Sequence, residues 1–306
     1  MTAFFEAMFF SPKWYHYVVM ILLVPFSLFY GTLMFLRRVS VSPKDFGIPI
    51  VSIGNLQVGG SGKTPFLIAL ASRYEDVTIV SRGYGRKSSG LVEVSYRGNL
   101  LVDVKESGDE AMFIAQSLPN ASIIVSEKRN IAIETAKYKG AKIILLDDGF
   151  NRVDIKKYEI LLEPSVMPNT LPFPAGPLRE FAWTKYYADS ILKEDSDFKR
   201  VVFFENLSKR MLLVTAISNP ARLDAFLPEN VVGKVYLEDH AYFDESFLEK
   251  QMQRYGATTL LVTQKDAVKM CNFKLPLSLM KLKLEIQNEI QTQVDAYVKG
   301  YQCVIT

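Results

Sequence analysis

A run of 23 residues near the start of the chain, residues 14–36, contains no Asp, Glu, Lys or Arg. An α-helix rises about 1.5 Å per residue, so this run could cross the roughly 30 Å hydrocarbon core of a bilayer. A helix this apolar must be covered, either by lipid or by the rest of the protein. The run therefore predicts an N-terminal membrane helix within residues 1–40 and leaves the remainder of the chain to form the folded domains.

The residues that flank this run indicate its orientation. Aromatic residues stand at its beginning, and Arg37 and Arg38 directly follow its end. Paired cations beside a membrane segment usually stay in the cytoplasm, which predicts a cytoplasmic remainder. A cleaved signal peptide fits poorly, because the first twelve residues carry no positive charge and no small-residue cleavage site follows the run. The alternative is a buried or interface-lying helix that is kinked at Pro25.

The composition of the whole chain is that of a packed globular protein. Its 306 residues are 49% hydrophobic and 23% charged, which excludes a disordered or low-complexity chain. The two cysteines are too few for a disulfide scaffold or a Cys-rich zinc module. The net charge of +3 is too small for a dedicated nucleic-acid binder, so we expect no nucleic-acid partner. No obligate protein partner is evident.

Short β-branched segments alternate with segments of helical spacing after the apolar run. The predicted strands cover residues 46–53, 77–81, 122–126, 142–146, 210–216, 231–237 and 258–263. The predicted helices cover residues 63–74, 110–117, 129–139 and 265–271. This alternation predicts an α/β fold, a largely parallel sheet with helices on both faces, in which ligands bind at the carboxyl ends of the strands.

A glycine-rich segment joins the first predicted strand to the first predicted helix. Its glycines let backbone N–H groups converge on phosphates, and the following helix N-terminus adds a favourable dipole. Lys63 would reach the outer phosphates, and the Thr64 hydroxyl would coordinate Mg²⁺. Gln57 stands where the usual pattern has glycine, so the match is imperfect. The predicted nucleotide-binding residues are Gln57, Val58, Gly59, Gly60, Ser61, Gly62, Lys63 and Thr64.

Two aspartates, Asp147 and Asp148, directly follow the strand predicted at 142–146. An acidic residue at such a strand end commonly coordinates the metal ion of a P-loop protein, so both are predicted to hold Mg²⁺ together with Thr64. A solvated turn or a helix cap is the alternative. The nearest match to the guanine-reading pattern Asn-Lys-x-Asp is the segment 263–266, in which the lysine falls one position too late. This favours ATP over GTP.

Prolines cluster between residues 164 and 177 and mark a break in the pattern of strands and helices. We therefore divide the chain into an N-terminal anchor (1–40), a P-loop nucleotide-binding core (41–204) and a smaller C-terminal α/β domain (205–306).

Several short motifs follow one another along the chain, and each except the glycine-rich loop is weak by itself. They are Gly59–Pro65, Ser81–Gly85, Gly108–Glu110, Asp147–Phe150, Gly176–Glu180, Asp239–His240 and Thr263–Asp266. In this order, and after an apolar helix, they resemble the tetraacyldisaccharide 4′-kinases, over residues 15 to 275. Two positions depart from that family's pattern: Asn151-Arg152 stand in place of Gln-His, and Gln264 in place of Glu.

This resemblance implies a kinase that transfers the γ-phosphate of ATP to the 4′-hydroxyl of a tetraacylated glucosamine disaccharide 1-phosphate, giving lipid IVA. It implies a place at the cytoplasmic face of a bacterial inner membrane, where the lipid substrate resides. It further implies that Asp109 is the catalytic base, that His240 supports it, and that Lys63 acts on ATP. The substrate-binding residues that it implies are Tyr84, Gly85, Glu110, Arg179 and Glu180.

Two other classes of function share part of this pattern. A membrane-tethered nucleotide switch that binds a protein partner would also have the glycine-rich loop and the paired aspartates. The absence of the guanine-reading motif and the presence of Asp109 and His240 argue against it. A lipid-binding scaffold with a degenerate nucleotide site would not be expected to retain Lys63 and Thr64.

Overall fold

The computed structural model describes residues 3–59, 62–164, 166–217, 220–238 and 241–302. The chain forms two compact units, each built from separate parts of the sequence. The first unit consists of Met1–Lys63, Ala141–Lys199 and Ile286–Thr306, and the second of Thr64–Gly140 and Arg200–Glu285. The division at residues 40 and 204 stays a prediction.

The strands and helices alternate through most of the chain. The strands are β1 Ile50–Gly54, β2 Val77–Ser81, β3 Val92–Tyr96, β4 Asn99–Leu100, β5 Ser122–Val125, β6 Ile143–Asp147, β7 Tyr158–Glu163, β8 Ser190–Lys193, β9 Phe198–Glu205, β10 Met211–Thr215, β11 Val231–Tyr236, β12 Thr259–Thr263 and β13 Leu277–Ile286. The α-helices are α1 Ala3–Phe10, α2 Trp14–Ser40, α3 Lys63–Ala71, α4 Val104–Ser107, α5 Asp109–Ser117, α6 Arg129–Tyr138, α7 Glu245–Tyr255, α8 Gln264–Ala267 and α9 Asn288–Gln302. Short 3₁₀ helices cover Ala182–Tyr187, Pro220–Phe226 and Val268–Met270.

Parallel strands form the sheet of the first unit, in the order β6, β1, β7, β8. All five residues of β1 are buried, as expected for a parallel strand that is covered on both faces. Ile53 of β1 is in register with Asp147 of β6. The glycine-rich loop and the paired aspartates therefore begin side by side at one edge of this sheet, and the predicted α/β class is confirmed.

Helix α2 contains the apolar run and continues beyond it to Ser40. One stripe of the helix is buried against the first unit, and there the Ser27 hydroxyl accepts a hydrogen bond from the Ala175 N–H at 2.8 Å. Pro25 lies inside the helix and does not end it. By length and composition alone, α2 could cross a membrane, and no other helix among the described residues could. The buried residues are His16, Met20, Ser27 and Gly31.

The second unit contains strands in the order β4, β3, β5, β2. The predicted strands β2 and β5 are parallel, but β3 and β4 form an antiparallel hairpin that the sequence analysis misses. Arg97 and Gly98 turn the hairpin, with φ of 46° and 82°. Positive φ at both central residues is typical of a type I′ turn, which Asn-Gly or Asp-Gly usually signals. Arginine at the first position hides the turn from a sequence pattern.

A further sheet is built by residues 198–286, in the order β11, β10, β12, β13, β9. The first four of these strands are parallel. Leu248 and Met252 of α7 pack against the buried side chains of β10 and β12. The predicted strands at 210–216, 231–237 and 258–263 are confirmed, whereas β9, β13, α7 and α9 were not predicted.

A buried carboxylate, Glu159, lies on β7 in register with Ser52 of β1. The Lys157 ammonium lies 2.6 Å from it, and both side chains are almost inaccessible to solvent. Burial raises the pKa of Glu159 to about 7, because the loss of solvation outweighs the attraction of Lys157. Near neutral pH the folded protein therefore holds this carboxyl in both protonation states.

Replacement of Glu159 should change how stability depends on pH. The pKa of Glu159 rises from 4.5 to about 7 on folding, so protonation stabilises the folded state. This contribution is complete below the unfolded pKa and is lost as the pH rises through the folded pKa. We expect Glu159→Gln to show a smaller fall in melting temperature than the wild type between about pH 5 and pH 8, measured by thermal unfolding. Glu249→Gln, at an exposed position of α7, should keep the wild-type slope; equal slopes for all three proteins would refute the assignment.

Candidate functional site

The loop after β1 is held by the segment that carries Arg179. The Val58 N–H donates to the Pro177 carbonyl at 2.9 Å, and the Arg179 N–H donates to the Leu56 carbonyl at 2.8 Å. Gln57 forms an isolated antiparallel bridge with the same segment. The first residues of the loop are therefore placed by backbone hydrogen bonds.

Glycines shape the remainder of the loop. Gly59 and Gly62 have φ of 94° and 78°, in the left-handed region that favours glycine. This is the conformation expected of a loop whose N–H groups must converge. Gly60 and Ser61, which are predicted to bind nucleotide, lie outside the described residues.

Lys63 is the first residue of α3 and is held from two sides. Its ammonium donates to the Asn55 side-chain carbonyl at 2.8 Å and lies 3.4 Å from Asp148 Oδ1. Asn55 is itself buried. Thr64 follows in the first turn of α3. The loop lysine therefore lies beside one of the two predicted metal-binding aspartates.

Asp148 is an ionised carboxylate between two cations. Arg179 Nη1 donates to its Oδ2 at 2.7 Å, and Lys63 lies on the side of Oδ1. Burial alone would raise the pKa of Asp148, but Lys63 and Arg179 together lower it below its ordinary value. We call Asn55, Lys63, Asp148 and Arg179 the phosphate-site cluster.

The backbone places this carboxylate in an unusual way. Asp147 is buried at the end of β6, and the next residue, Asp148, has φ of 54°, which is uncommon for a residue with a side chain. The Asp148 N–H donates to the Ile53 carbonyl at 2.9 Å. Strain of this kind is stable only where surrounding contacts impose it, and it clusters at functional sites.

Glu180, predicted to bind substrate, meets the last turn of α2. Arg38 Nε and Nη2 donate to its two carboxylate oxygens at 2.7 and 2.9 Å. Both side chains are buried. This contact was not predicted, because the two residues are 142 positions apart in the sequence.

In the second unit, the loop after β2 contacts the start of α5. A Cβ added to Gly108, which precedes Asp109, would lie 2.9 Å from the Tyr84 carbonyl oxygen, and Gly108 has φ of 83°. The Tyr84 side chain is 66% exposed. Gly85 has φ of 75° and open space where a Cβ would stand. Tyr84 and Gly85 therefore lie in the loop that borders the predicted base.

Two lysines one helical turn apart meet the two acidic residues that begin α5. Lys269 Nζ lies 3.2 Å from Asp109 Oδ2, with side chains 2% and 7% exposed. Lys265 Nζ lies 3.0 Å from Glu110 Oε1. Lys269 also donates to the Ala241 carbonyl at 3.2 Å. Neither lysine was predicted as a site residue, and their four-residue spacing is the one signal that could have found them.

The segment Thr263–Asp266 holds β10 and α8 together. The Thr215 and Thr263 hydroxyls each donate to Asp266 Oδ2 at 2.7 Å, and the Ala216 N–H donates to Oδ1 at 3.2 Å. Asp266 is fully buried. This motif therefore positions the turn that carries Lys265 and Lys269.

The structure thus brings together two sets of predicted residues, one in each unit. The phosphate-site cluster belongs to the first unit, and Tyr84, Gly85, Asp109 and Glu110 belong to the second. His240 lies outside the described residues. Among the residues that are described, no three His, Cys, Asp or Glu side chains group closely enough to hold a metal ion by themselves.

The pairing of Lys63 with Asp148, at the edge where β1 and β6 end, is the arrangement by which P-loop proteins hold nucleotide phosphates and their metal ion. The fold and this cluster define a P-loop nucleotide-binding protein. The family model of the tetraacyldisaccharide-1-P 4′-kinases, LpxK, matches residues 19–299, and the chain belongs to this family. The resemblance inferred from the motifs is confirmed.

Relatives named tetraacyldisaccharide 4′-kinase match nearly the whole chain. That of Helicobacter pylori strain J99 is 48% identical over 99% of this chain and 97% of its own length. That of Aliarcobacter butzleri is 42% identical, over 97% of each chain. A crystal structure of LpxK from Aquifex aeolicus in complex with ATP superposes with a TM-score of 0.79 and 26% identity. It covers 92% of this chain, and this chain covers 99% of that one.

Gly108→Ala should destabilise the protein more than Gly90→Ala. Both glycines have φ near +80°, so each variant carries a backbone strain of about 1–3 kcal/mol. At Gly108 the new Cβ would also lie 2.9 Å from the Tyr84 carbonyl, whereas nothing lies within 4 Å at Gly90. We expect an additional loss of about 1–3 kcal/mol in the free energy of unfolding, measured in urea. Equal losses in the two variants would show that Tyr84 does not hold the start of α5.

Proposed function

We propose that this chain is an ATP- and Mg²⁺-dependent kinase that phosphorylates the 4′-hydroxyl of a tetraacylated glucosamine disaccharide 1-phosphate, giving lipid IVA. The observation that carries the proposal is the match, over 97–99% of the chain, to relatives named for this activity. The cation-paired carboxylates of both units fit phosphoryl transfer, which depends on positioning and on neutralising charge.

Residues 57–64 would hold the ATP phosphates. Backbone N–H groups of the loop would surround the β-phosphate, and Lys63 would reach the outer phosphates from the start of α3. Asn55 and Asp148 hold the Lys63 ammonium in place before nucleotide binds. Lys63 therefore needs little reordering to act on the γ-phosphate during transfer.

The oxygen donors beside this loop fit Mg²⁺. Asp148 Oδ1 is buried and lies 3.4 Å from the Lys63 ammonium, and a carboxylate oxygen has lone pairs for more than one cation. Mg²⁺ is usually held by one or two carboxylates together with substrate phosphates, so a larger acidic group is not required. Asp148, Asp147 and the Thr64 hydroxyl are the proposed ligands. The ion would neutralise charge on the phosphates during transfer.

Asp109 would act as the base. As the 4′-oxygen bonds to the γ-phosphorus, its proton passes to the Asp109 carboxylate, and the bond from phosphorus to the β-phosphate oxygen breaks to release ADP. Lys269 holds one oxygen of Asp109 and so orients the other. His240 is proposed to support Asp109. Tyr84, Gly85, Glu110 and Arg179 are the proposed substrate contacts, whereas both carboxylate oxygens of Glu180 are already bound by Arg38.

Helix α2 would lie along the membrane surface at the cytoplasmic side rather than cross the bilayer. From Met20 to Arg38 it packs against the segment 169–183 of the folded unit, a distance of about 27 Å. A helix held along such a length cannot leave the unit to span the membrane without breaking these contacts. The opposite face needs apolar cover and would insert into one leaflet. Its exposed residues include Val18, Ile21, Leu22, Phe26, Phe29, Leu33 and Leu36.

This arrangement suits the substrate. A lipid with four acyl chains hardly leaves the bilayer, because each buried CH₂ contributes about 0.8 kcal/mol. The enzyme must therefore reach the lipid at the membrane.

The decisive experiment is a product assay with purified protein, ATP, Mg²⁺ and the disaccharide 1-phosphate, read by mass spectrometry. We expect a single phosphate to be added at the 4′-position. Lys63→Met and Asp109→Asn should each lower turnover by about 100-fold or more, because they remove phosphate neutralisation and the proton acceptor. Lys299→Met, at an exposed position of α9, is the control. ATP hydrolysis without lipid phosphorylation would overturn the proposed function, and near wild-type turnover of Asp109→Asn would overturn the base.

Vesicle binding tests the proposed membrane face. Phe26→Gln with Phe29→Gln should weaken binding to anionic phospholipid vesicles by about 100-fold or more, because each phenylalanine contributes roughly 1.5–3 kcal/mol when buried. Tyr138→Gln, at a still more exposed aromatic residue of α6, should leave binding unchanged. Flotation in a density gradient measures the bound fraction.

Cysteine labelling in the same system separates the two orientations of α2. In a variant without native cysteines, Glu6→Cys and Lys44→Cys stand beyond opposite ends of the helix, at exposed positions. With the cytoplasmic face outward, an impermeant maleimide should label both. Protection of Glu6→Cys alone would show that α2 spans the membrane.

A further inference from the structure

Arg38, in the last turn of α2, is held in a single geometry. Its guanidinium binds both oxygens of Glu180, and Nη2 also donates to the Phe150 carbonyl at 3.1 Å. The guanidinium carbon lies 4.4 Å from the centre of the Phe150 ring. The Arg38 side chain is 8% exposed and that of Glu180 6%. A bidentate pair with a further acceptor leaves the guanidinium little freedom.

Both partners of Arg38 are close in sequence to the phosphate-site cluster. Glu180 directly follows Arg179, whose guanidinium binds Asp148 Oδ2 at 2.7 Å. Phe150 comes two residues after Asp148. Arg38 is therefore connected to the Asp148 carboxylate in two ways, through Glu180 and Arg179 and through Phe150.

The turn between Asp148 and Phe150 has no space in which to absorb a displacement. A Cβ on Gly54 would lie 2.5 Å from the Phe150 Cβ, so Phe150 packs directly against the end of β1. A Cβ on Gly149 would lie 2.6 Å from the Ser52 hydroxyl. Because the turn is tightly packed, a shift of Phe150 would also move the Asp148 carboxylate.

The geometry points to Arg38 as a positioning residue that ties the membrane helix to the phosphate-site cluster. The packing of α2 on the folded unit fixes the position of Arg38, and Arg38 binds Glu180 and the Phe150 carbonyl. Through these two residues, Arg38 positions Arg179 and Asp148 for phosphoryl transfer. The inference rests on the proposed function, because it concerns the same site. It also assigns Glu180 a role through Arg38.

The neighbouring residue supplies a matched control. Arg37 carries the same charge at the same end of α2, and its guanidinium donates to the Asn151 carbonyl at 3.1 Å in an exposed position. A difference between the two variants therefore reports the buried contacts of Arg38 and not the loss of a charge.

The test measures kcat and KM on lipid dispersed in detergent micelles, where seating on a bilayer is not limiting. Arg38→Lys keeps the charge but cannot make the bidentate pair. Since a misplacement of about 1 Å can cost about 100-fold, we expect kcat at saturating ATP and lipid to fall by roughly 10- to 100-fold. The lipid KM should change by less than about threefold, because the effect is on positioning and not on substrate binding. Arg37→Gln should keep kcat within about twofold of the wild type.

A double-mutant cycle separates the role of Glu180 through Arg38 from a direct contact with substrate. If Glu180 acts through Arg38, then Arg38→Gln with Glu180→Gln should lower kcat no further than the worse single variant. Multiplying effects, with a raised lipid KM in Glu180→Gln, would overturn the inference. So would an Arg38→Lys protein with wild-type kcat.

Two measurements keep this inference distinct from the proposed function and from misfolding. If the wild type forms no 4′-phosphorylated product, the proposed function fails. If the wild type forms the product and Arg38→Lys has the same kcat, only the inference about Arg38 fails. Thermal unfolding must show that Arg38→Lys is folded at the assay temperature. A loss of kcat that persists in a protein with the wild-type melting temperature supports positioning.

Discussion

Strand β1 lies between two parallel neighbours, and the charged groups of the phosphate-site cluster depend on that pairing. Register with β6 brings Asp147 beside Ile53, so the acidic turn and the glycine-rich loop leave the sheet together. Lys63 Nζ and Asp148 Oδ1 can then lie 3.4 Å apart although the two residues are 85 positions apart in the sequence. Arg179 completes the neutralisation from a third segment. Without the buried strand pair, these side chains would have no reason to meet.

Sequence analysis could find the groups whose partners are local. The glycine-rich loop, the aspartate pair and the apolar helix each carry a short pattern with a physical reason, and the strand at Val77–Ser81 is found at its observed bounds. Arg38, Lys265 and Lys269 were missed as site residues, because their partners lie more than 100 residues away in the sequence. Glu180 was singled out, but its buried contact with Arg38 required the structure. The role of His240 stays a prediction.

Helix α2 combines two demands that conflict in an ordinary helix. One face must pack on protein, and there small or polar residues such as Ser27 and Gly31 allow close approach: Phe181 lies where a Cβ on Gly31 would stand. The other faces remain apolar and exposed, and apolar patches of this kind mark protein–protein or membrane interaction sites. In the proposed arrangement, lipid covers these faces. The contacts of its buried stripe connect the helix to the rest of the folded unit.

The pairing of Asp109 with a buried lysine bears on how the proposed base can work. A carboxylate with a close counter-ion is a poor proton acceptor before reaction, and a free sugar hydroxyl is a weak acid. In a loose phosphoryl-transfer transition state, however, the bond to the leaving group breaks before the bond to the nucleophile has formed. The sugar hydroxyl therefore becomes acidic only late in the reaction, as its oxygen bonds to phosphorus. The base is then needed mainly to receive a proton that is already leaving. Lys269 contributes orientation at little cost to that step, which is why a lysine-paired aspartate suits this chemistry better than a strong, unpaired base would.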